Sequence, residues 1–217
     1  MTKKIKFYST NIELEILHPK PASRTIPSWF RKLPGVVDGI ETIKKCIPFL
    51  DTMTSGYMIV LAADVKFNGE EFEQISKKEI VTTHMEKQLG EIKIPEEYSK
   101  QPYKWTNFFV TKTPKGYSTL FTHPLNRIDL PFYSLSGIVD TDGHPVPVNF
   151  PFYVKKDFRG IIPAGTPIAQ AIPFKRESWK SSVEDKKPYT IPAAWFMFNN
   201  PPFNFYKRNF WNRKSYK

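Results

Sequence analysis

The sequence is poor in cysteine, with Cys46 alone, so no internal disulfide and no paired-cysteine zinc site can form. Glycine is scarce too, at 10 residues, and G-x-G-x-x-G and the Gly-Lys-Ser/Thr of a phosphate-binding loop are both absent. No H-E-x-x-H is present. These absences leave neither a nucleotide cofactor nor a metal expected from motif, and the cofactor expectation is none. The start of the chain carries no apolar core of the kind a signal peptide needs. The longest apolar stretch, residues 46–65, is broken by Asp51 and Asp64. A bilayer span requires ~20 apolar residues, so no membrane partner is expected. A soluble intracellular protein is the default expectation, and the free thiol is compatible with a reducing compartment.

What is abundant is proline, basic charge and aromatic side chains. The 217 residues include 20 prolines, about twice the ~5% of average proteins, which disfavours a helical bundle. The formal charge is +11. Residues 199–217 hold Lys207, Arg208, Arg213, Lys214 and Lys217 and no acid, so +5 sits in this tail and +6 in the body. Such a tail either docks on its own body or attracts nucleic acid, an anionic membrane or an acidic protein surface.

The pattern predicts a mainly β protein, an antiparallel barrel, β-clip or sandwich, with a short N-terminal helical turn and an aromatic, basic C-terminal helix. Trp29, Phe30 and Leu33 share one helical face after Pro27 and Ser28. Residues 17–21, with two prolines, are expected to lie extended. Residues 43–49 and 57–67 are strand candidates, the second apolar enough to be buried on both faces. Ile80, Val81, Thr82 and Thr83 suit a pleat. From residue 103 to 174, strand-like runs alternate with turns at Pro114, Gly116, Asp142 and Gly143, the rhythm of an antiparallel all-β fold. Three regions result: an extended arm with a short helix (1–42), a β-barrel-like domain (43–180) and a basic aromatic tail (181–217).

Two clusters stand out. His123, Asn126, Arg127 and Asp129, with Asp140 and Asp142, sit where strands give way to turns, and pairing of those strand ends would bring them to one rim. Carboxylates with imidazole suit a divalent metal, and an Asp beside an Arg suits water activation next to phosphate. The structural alternative is a bidentate pair of Arg127 with Asp129 or Asp140, the other groups forming turns. The tail supplies Trp195, Phe203, Tyr206, Phe210 and Trp211 as interface candidates, with Tyr206 and Phe210 spaced as helix neighbours. Cys46 lies beside Lys44 and Lys45, which favour a thiolate; the simpler reading is a small buried residue in a strand.

The segments 46–49 (CIPF), 113–118 (TPKGYS), 124–127 (PLNR), 136–142 (SGIVDTD) and 162–174 (IPAGTPIAQAIPF) resemble an uncharacterised family of tailed bacteriophages and bacteria. The likeness runs from Ile26 to about Trp179 and implies a phage-encoded protein of the host cytoplasm or the virion. A shorter stretch is similar, more distantly, to the dUTPase β-clip fold. Gly137 to Asp142 resembles that enzyme's third motif and Gly165 to Gln170 the turn and strand after it. The continuation there departs, since Gly143, His144 and Pro145 follow Asp142, and the Arg-Ser-Gly phosphate motif is missing near His123. The fold is therefore the safer implication. Two functional readings follow: a non-catalytic binding or structural protein with a protein partner or self-association, and, as the alternative, a dUTPase-like nucleotide-binding or metal-dependent enzyme using His123 with Asp140 or Asp142.

Overall fold

The computed structural model describes residues 3–9, 17–90, 92–183 and 204–217. Strand β1 (Lys6–Ser9) opens the chain, and the proline-bound β2 (Lys20–Pro21) is extended as its prolines require. Helix α1 (Ser28–Lys32) follows Pro27 and buries Phe30. Its C-terminal carbonyls on Phe30 and Arg31 accept the Lys44 ammonium at 2.6 and 3.0 Å, a cation where the helix dipole favours one. Asp38 and Gly39, both with positive φ, then turn the hairpin of β3 (Val36–Val37) and β4 (Ile40–Glu41).

Residues 43–49 differ from the strand expectation. They form a 3₁₀ turn, Ile43–Lys45, capped by the Thr42 hydroxyl, and the start of helix α2 (Ile47–Thr54). Pro48 explains the difference, because in the first helical turn its missing N–H costs nothing while in a strand it would break the ladder. Cys46 is accordingly a half-buried residue at the helix start, not a strand residue. Gly56 ends the segment at φ +68°, where a Cβ would fall 2.1 Å from the Ala171 carbonyl oxygen, so only glycine fits.

The β region then runs through β5 (Tyr57–Val60), β6 (Val65–Phe67), β7 (Phe72–Gln74), β8 (Val81–Thr83), β9 (Tyr103–Trp105), β10 (Phe109–Lys112), β11 (Tyr117–Thr122), β12 (Phe132–Ser134), β13 (Gly137–Val139), β14 (Phe150–Val154), β15 (Gly160–Ile162) and β16 (Pro167–Lys175). A C-terminal helix, α3 (Asn204–Asn209), is present as expected. All strand pairs among the described residues are antiparallel. One sheet has the order β13-β11-β16-β5-β2, a second β12-β14-β9-β8, and a third β15-β6-β7.

The mainly β class holds, but the sheets do not close into a barrel. The edges of the largest sheet show why. At one side β2 is two residues long and includes Pro21, which cannot donate to a further strand. At the other, β13 exposes two of its three residues, with Ile138 on the surface. The larger of two apolar clusters includes Phe67 and Ile59, and in it Trp105 stacks on Phe152 at 3.7 Å between centroids with Phe132 edge-on to both. Strand β16, buried from Pro167 to Ala171, runs through the middle and carries the polar Gln170 into it.

Candidate functional site

Strand β11 separates the residues that the sequence groups together. Its register with β13 pairs Thr119 with Val139 and Phe121 with Gly137. Continuing that ladder places Asp140 beside Ser118, at one end of β11, while His123 follows the other end. Five residues of strand rise span about 16 Å. The expectation of one shared rim is therefore corrected: His123, Asn126, Arg127 and Asp129 gather at one end, Asp140 and Asp142 at the other. An enzyme drawing on His123 together with Asp140 or Asp142 has no common site in this arrangement.

The Asp140–Asp142 end is organised by Arg176, just beyond β16. Its guanidinium meets Asp142 through Nη1 at 3.0 Å and Nη2 at 2.5 Å, and Nη1 also reaches Asp140 Oδ1 at 3.1 Å. The Ser118 hydroxyl donates to Asp140 at 2.6 Å and the Gly116 N–H to Asp142 at 2.8 Å. Hydrogen bonds from Arg176 and from the Gly116 backbone hold the Asp142 carboxyl well below the usual carboxylate range. Fork-to-carboxylate pairing of this kind fixes the turn after β13 to the end of β16.

At the opposite end, residues 123–130 turn back on themselves after β11. Asn126 occupies the left-handed region at φ +61°, which its short polar side chain tolerates, and donates from Nδ2 to the Thr52 hydroxyl of α2 at 2.6 Å. The fully buried Gln170 makes the central tie. Its Oε1 accepts the Leu125 N–H at 2.9 Å, and its Nε2 donates to the carbonyls of Thr52 and Ser55 at 2.8 and 2.6 Å. Strand β16, the end of α2 and the turn are thus joined through one carboxamide with both hydrogens and its oxygen used. Arg127 pairs bidentately with Asp129 through Nε at 2.8 Å and Nη2 at 2.9 Å. That is the structural alternative stated from sequence, with Asp129 as the partner. Burial raises the Asp129 carboxyl, but the Arg127 hydrogen bonds outweigh it and leave the group below its ordinary value.

His123 is buried, and its ring lies 4.9 Å from Tyr133 in a stacked arrangement. Nδ1 accepts the Ser134 N–H at 3.3 Å, so Nε2 carries the hydrogen and donates to the Arg127 carbonyl at 3.1 Å. Burial lowers the imidazole's basicity, outweighing the favourable carbonyl of Arg127. A ring with both nitrogens engaged is a structural strut, not a free base or ligand. Among the described residues no three His, Cys, Asp or Glu side chains gather.

These residues frame a cleft of about 560 Å³, lined by the 122–128 turn, Leu130, Phe132, Tyr133, Glu97, Tyr98 and Lys155. Ile128 at its lip is 86% exposed and Tyr133 43% exposed. Tyr98 lies 6.3 Å from Tyr133, its hydroxyl made less acidic by burial, Glu97 and Tyr133. Lys155 donates to the Ile128 carbonyl at 3.2 Å. Sequence reading missed Glu97, Tyr98, Tyr133 and Lys155, which come from distant segments joined by the Tyr98–Lys155 bridge and the β12–β14 pairing. It also missed the roles of Gln170 and Arg176. An isolated Gln in an otherwise apolar strand is the one signal that pointed to Gln170.

The tail candidates divide. Trp195 and Phe203 lie outside the described residues. Tyr206 and Phe210 have ring centroids 6.5 Å apart and remain exposed. Trp211 turns inward, its indole N–H donating to Asp51 at 2.9 Å beside the Lys214 ammonium at 2.6 Å. Tyr216 then packs edge-on against Tyr57, whose hydroxyl donates to the Lys217 carbonyl. The end of the tail thus docks on its own body. No helix among the described residues is long and apolar enough to cross a membrane. Compared with known proteins, the chain matches no family model and no curated protein.

Proposed function

We propose that this protein works by binding, and that the cleft beside His123 receives an apolar or aromatic segment of a protein partner. One observation carries the reading. His123 and Arg127 beneath the cleft are committed to internal hydrogen bonds, while its lip presents Ile128 and Tyr133 to solvent with the half-buried Tyr98 beside them. Aromatic and branched side chains in a preformed, rigid hollow are the usual anchors of protein recognition. The sequence resemblance to tailed-phage proteins supports a virion-associated or host-directed role, in the host cytoplasm or the particle. A second copy of the chain is the simplest partner to test beside a foreign one.

The test uses peptides selected from a displayed random library on the immobilised protein, with affinities measured by calorimetry. Ile128→Asp and Tyr133→Ala are expected to weaken the selected peptides about tenfold or more, the loss of roughly 1.4 kcal/mol of anchor energy. Ile161→Asp, on the exposed face of β15, is expected to leave them unchanged. Peptides insensitive to both cleft substitutions would contradict the proposal.

A further inference from the structure

The geometry points to a second binding surface, independent of the cleft beside His123: we infer that the outer face of β1 and β10 binds single-stranded nucleic acid. In the antiparallel register of these strands Lys6 stands directly opposite Lys112. Like charges directly opposite destabilise a strand pair, so this arrangement opposes folding by itself. Lys4 lies two residues before Lys6, just outside β1, and Tyr8 one alternation after Lys6 within it. Lys3, Lys4, Lys6, Tyr8 and Lys112 line one cleft of about 410 Å³, and among the described residues no carboxylate lines it. None of these four lysines forms an ion pair with a carboxylate among the described residues.

A second hollow continues from the first, sharing Lys3, Lys4, Thr113 and Pro114, and adds Tyr57, Tyr117 and Tyr216. Lys3 already sits over the Tyr117 ring at 5.9 Å. Several cations close together beside an exposed ring are what a single strand requires. The ammoniums meet successive phosphates, and a base stacks on an aromatic face such as Tyr8, which is 51% exposed. An acidic peptide would use the lysines but leave the rings idle, and a bilayer would need a flatter, more apolar surface. A bound phosphate chain between Lys6 and Lys112 would turn their repulsion into attraction. The basic tail proposed from sequence as a nucleic-acid contact contributes here only its end, through Tyr216 docked against Tyr57.

Fluorescence anisotropy with a labelled oligothymidylate of about 15 nucleotides tests the inference, at 50 to 200 mM salt. Three lysine–phosphate contacts, from Lys4, Lys6 and Lys112, give a slope of log affinity against log salt of about −2, a loss near 20-fold over that range. The Lys6→Gln/Lys112→Gln variant is expected to reduce the slope to about −0.7 while its melting temperature stays level or rises, since the repulsion is gone. Lys4→Gln, outside the strand pair, is expected to reduce it by about 0.7 without touching the fold. Lys77→Gln/Lys87→Gln removes the same charge elsewhere and is expected to change neither slope nor affinity beyond twofold. Four results would overturn the inference: absent oligonucleotide binding, equal losses in the Lys77/Lys87 variant, an unchanged slope in the Lys4 variant, or tighter binding of polyglutamate or phosphatidylserine vesicles than of the oligonucleotide.

Discussion

Replacing Gln170 by leucine tests how the cleft is held in place. The two side chains are close in volume, so no cavity forms and the change isolates the carboxamide. Three partners lose their bonds: the Leu125 N–H and the carbonyls of Thr52 and Ser55. A buried polar group left unmet costs roughly 1–3 kcal/mol. The carbonyls at the end of α2 can partly turn to water, whereas the Leu125 N–H faces a fully buried position on β16. The expected net loss is therefore about 3 kcal/mol, less than the sum of three full penalties. For a chain of this size that lowers the melting temperature by about 6–12 °C. The local consequence is the sharper one, because the 123–130 turn loses its tie to both β16 and α2. Calorimetry together with amide hydrogen exchange checks both effects, and the Leu125 amide is expected to lose protection ahead of the core strands. A melting shift below about 2 °C with Leu125 protection intact would show that Gln170 does not hold the turn.

The other end of β11 is expected to respond to acid. The Asp142 carboxyl is held low in the folded chain, so its stabilising contribution is present above the ordinary carboxylate value and fades as pH falls through its depressed value. Asp142→Asn is expected to melt below the parent at pH 7, with the gap narrowing below about pH 4, as thermal scans across pH would show. In the tail, Asp51→Asn weakens the acceptor shared by Trp211 and Lys214. Limited chymotryptic cleavage at Phe210 and Trp211 is expected to quicken roughly tenfold, since cleavage tracks local opening, and an unchanged rate would show the tail to be held by other contacts.

Much of the β architecture was legible because alternation and turn residues agreed. Strand β11 coincides with the expected residues 117–122, and β16 covers nearly the expected 166–174. Residues 43–49 misled because their apolar content suits a strand as well as a helix start, and Pro48 decides between them. Strands β9 and β12 are three residues long, too short for a period to register. The barrel failed for a non-local reason, since closure depends on how sheet edges meet. The split of the polar cluster was hidden in the same way. Both halves follow strand ends, but antiparallel pairing of β11 with β13 sends those ends in opposite directions. Once Thr119 faces Val139, Asp140 belongs beside Ser118 and cannot join His123. The cleft itself draws Glu97, Tyr98 and Lys155 from segments whose proximity only tertiary packing creates.

His123, with both ring nitrogens engaged, is a structural strut beneath the cleft. Nitrogen-detected NMR of its imidazole across pH 8 to 5 tests this most directly. The buried ring is depressed below the ordinary value near 6.5. One neutral tautomer with hydrogen on Nε2 is expected to persist below that pH, with folding stability declining from about pH 6.5 downward as the unfolded chain takes up a proton that the folded ring refuses. A ring that titrates at or above the ordinary value, or that carries its hydrogen on Nδ1, would contradict it.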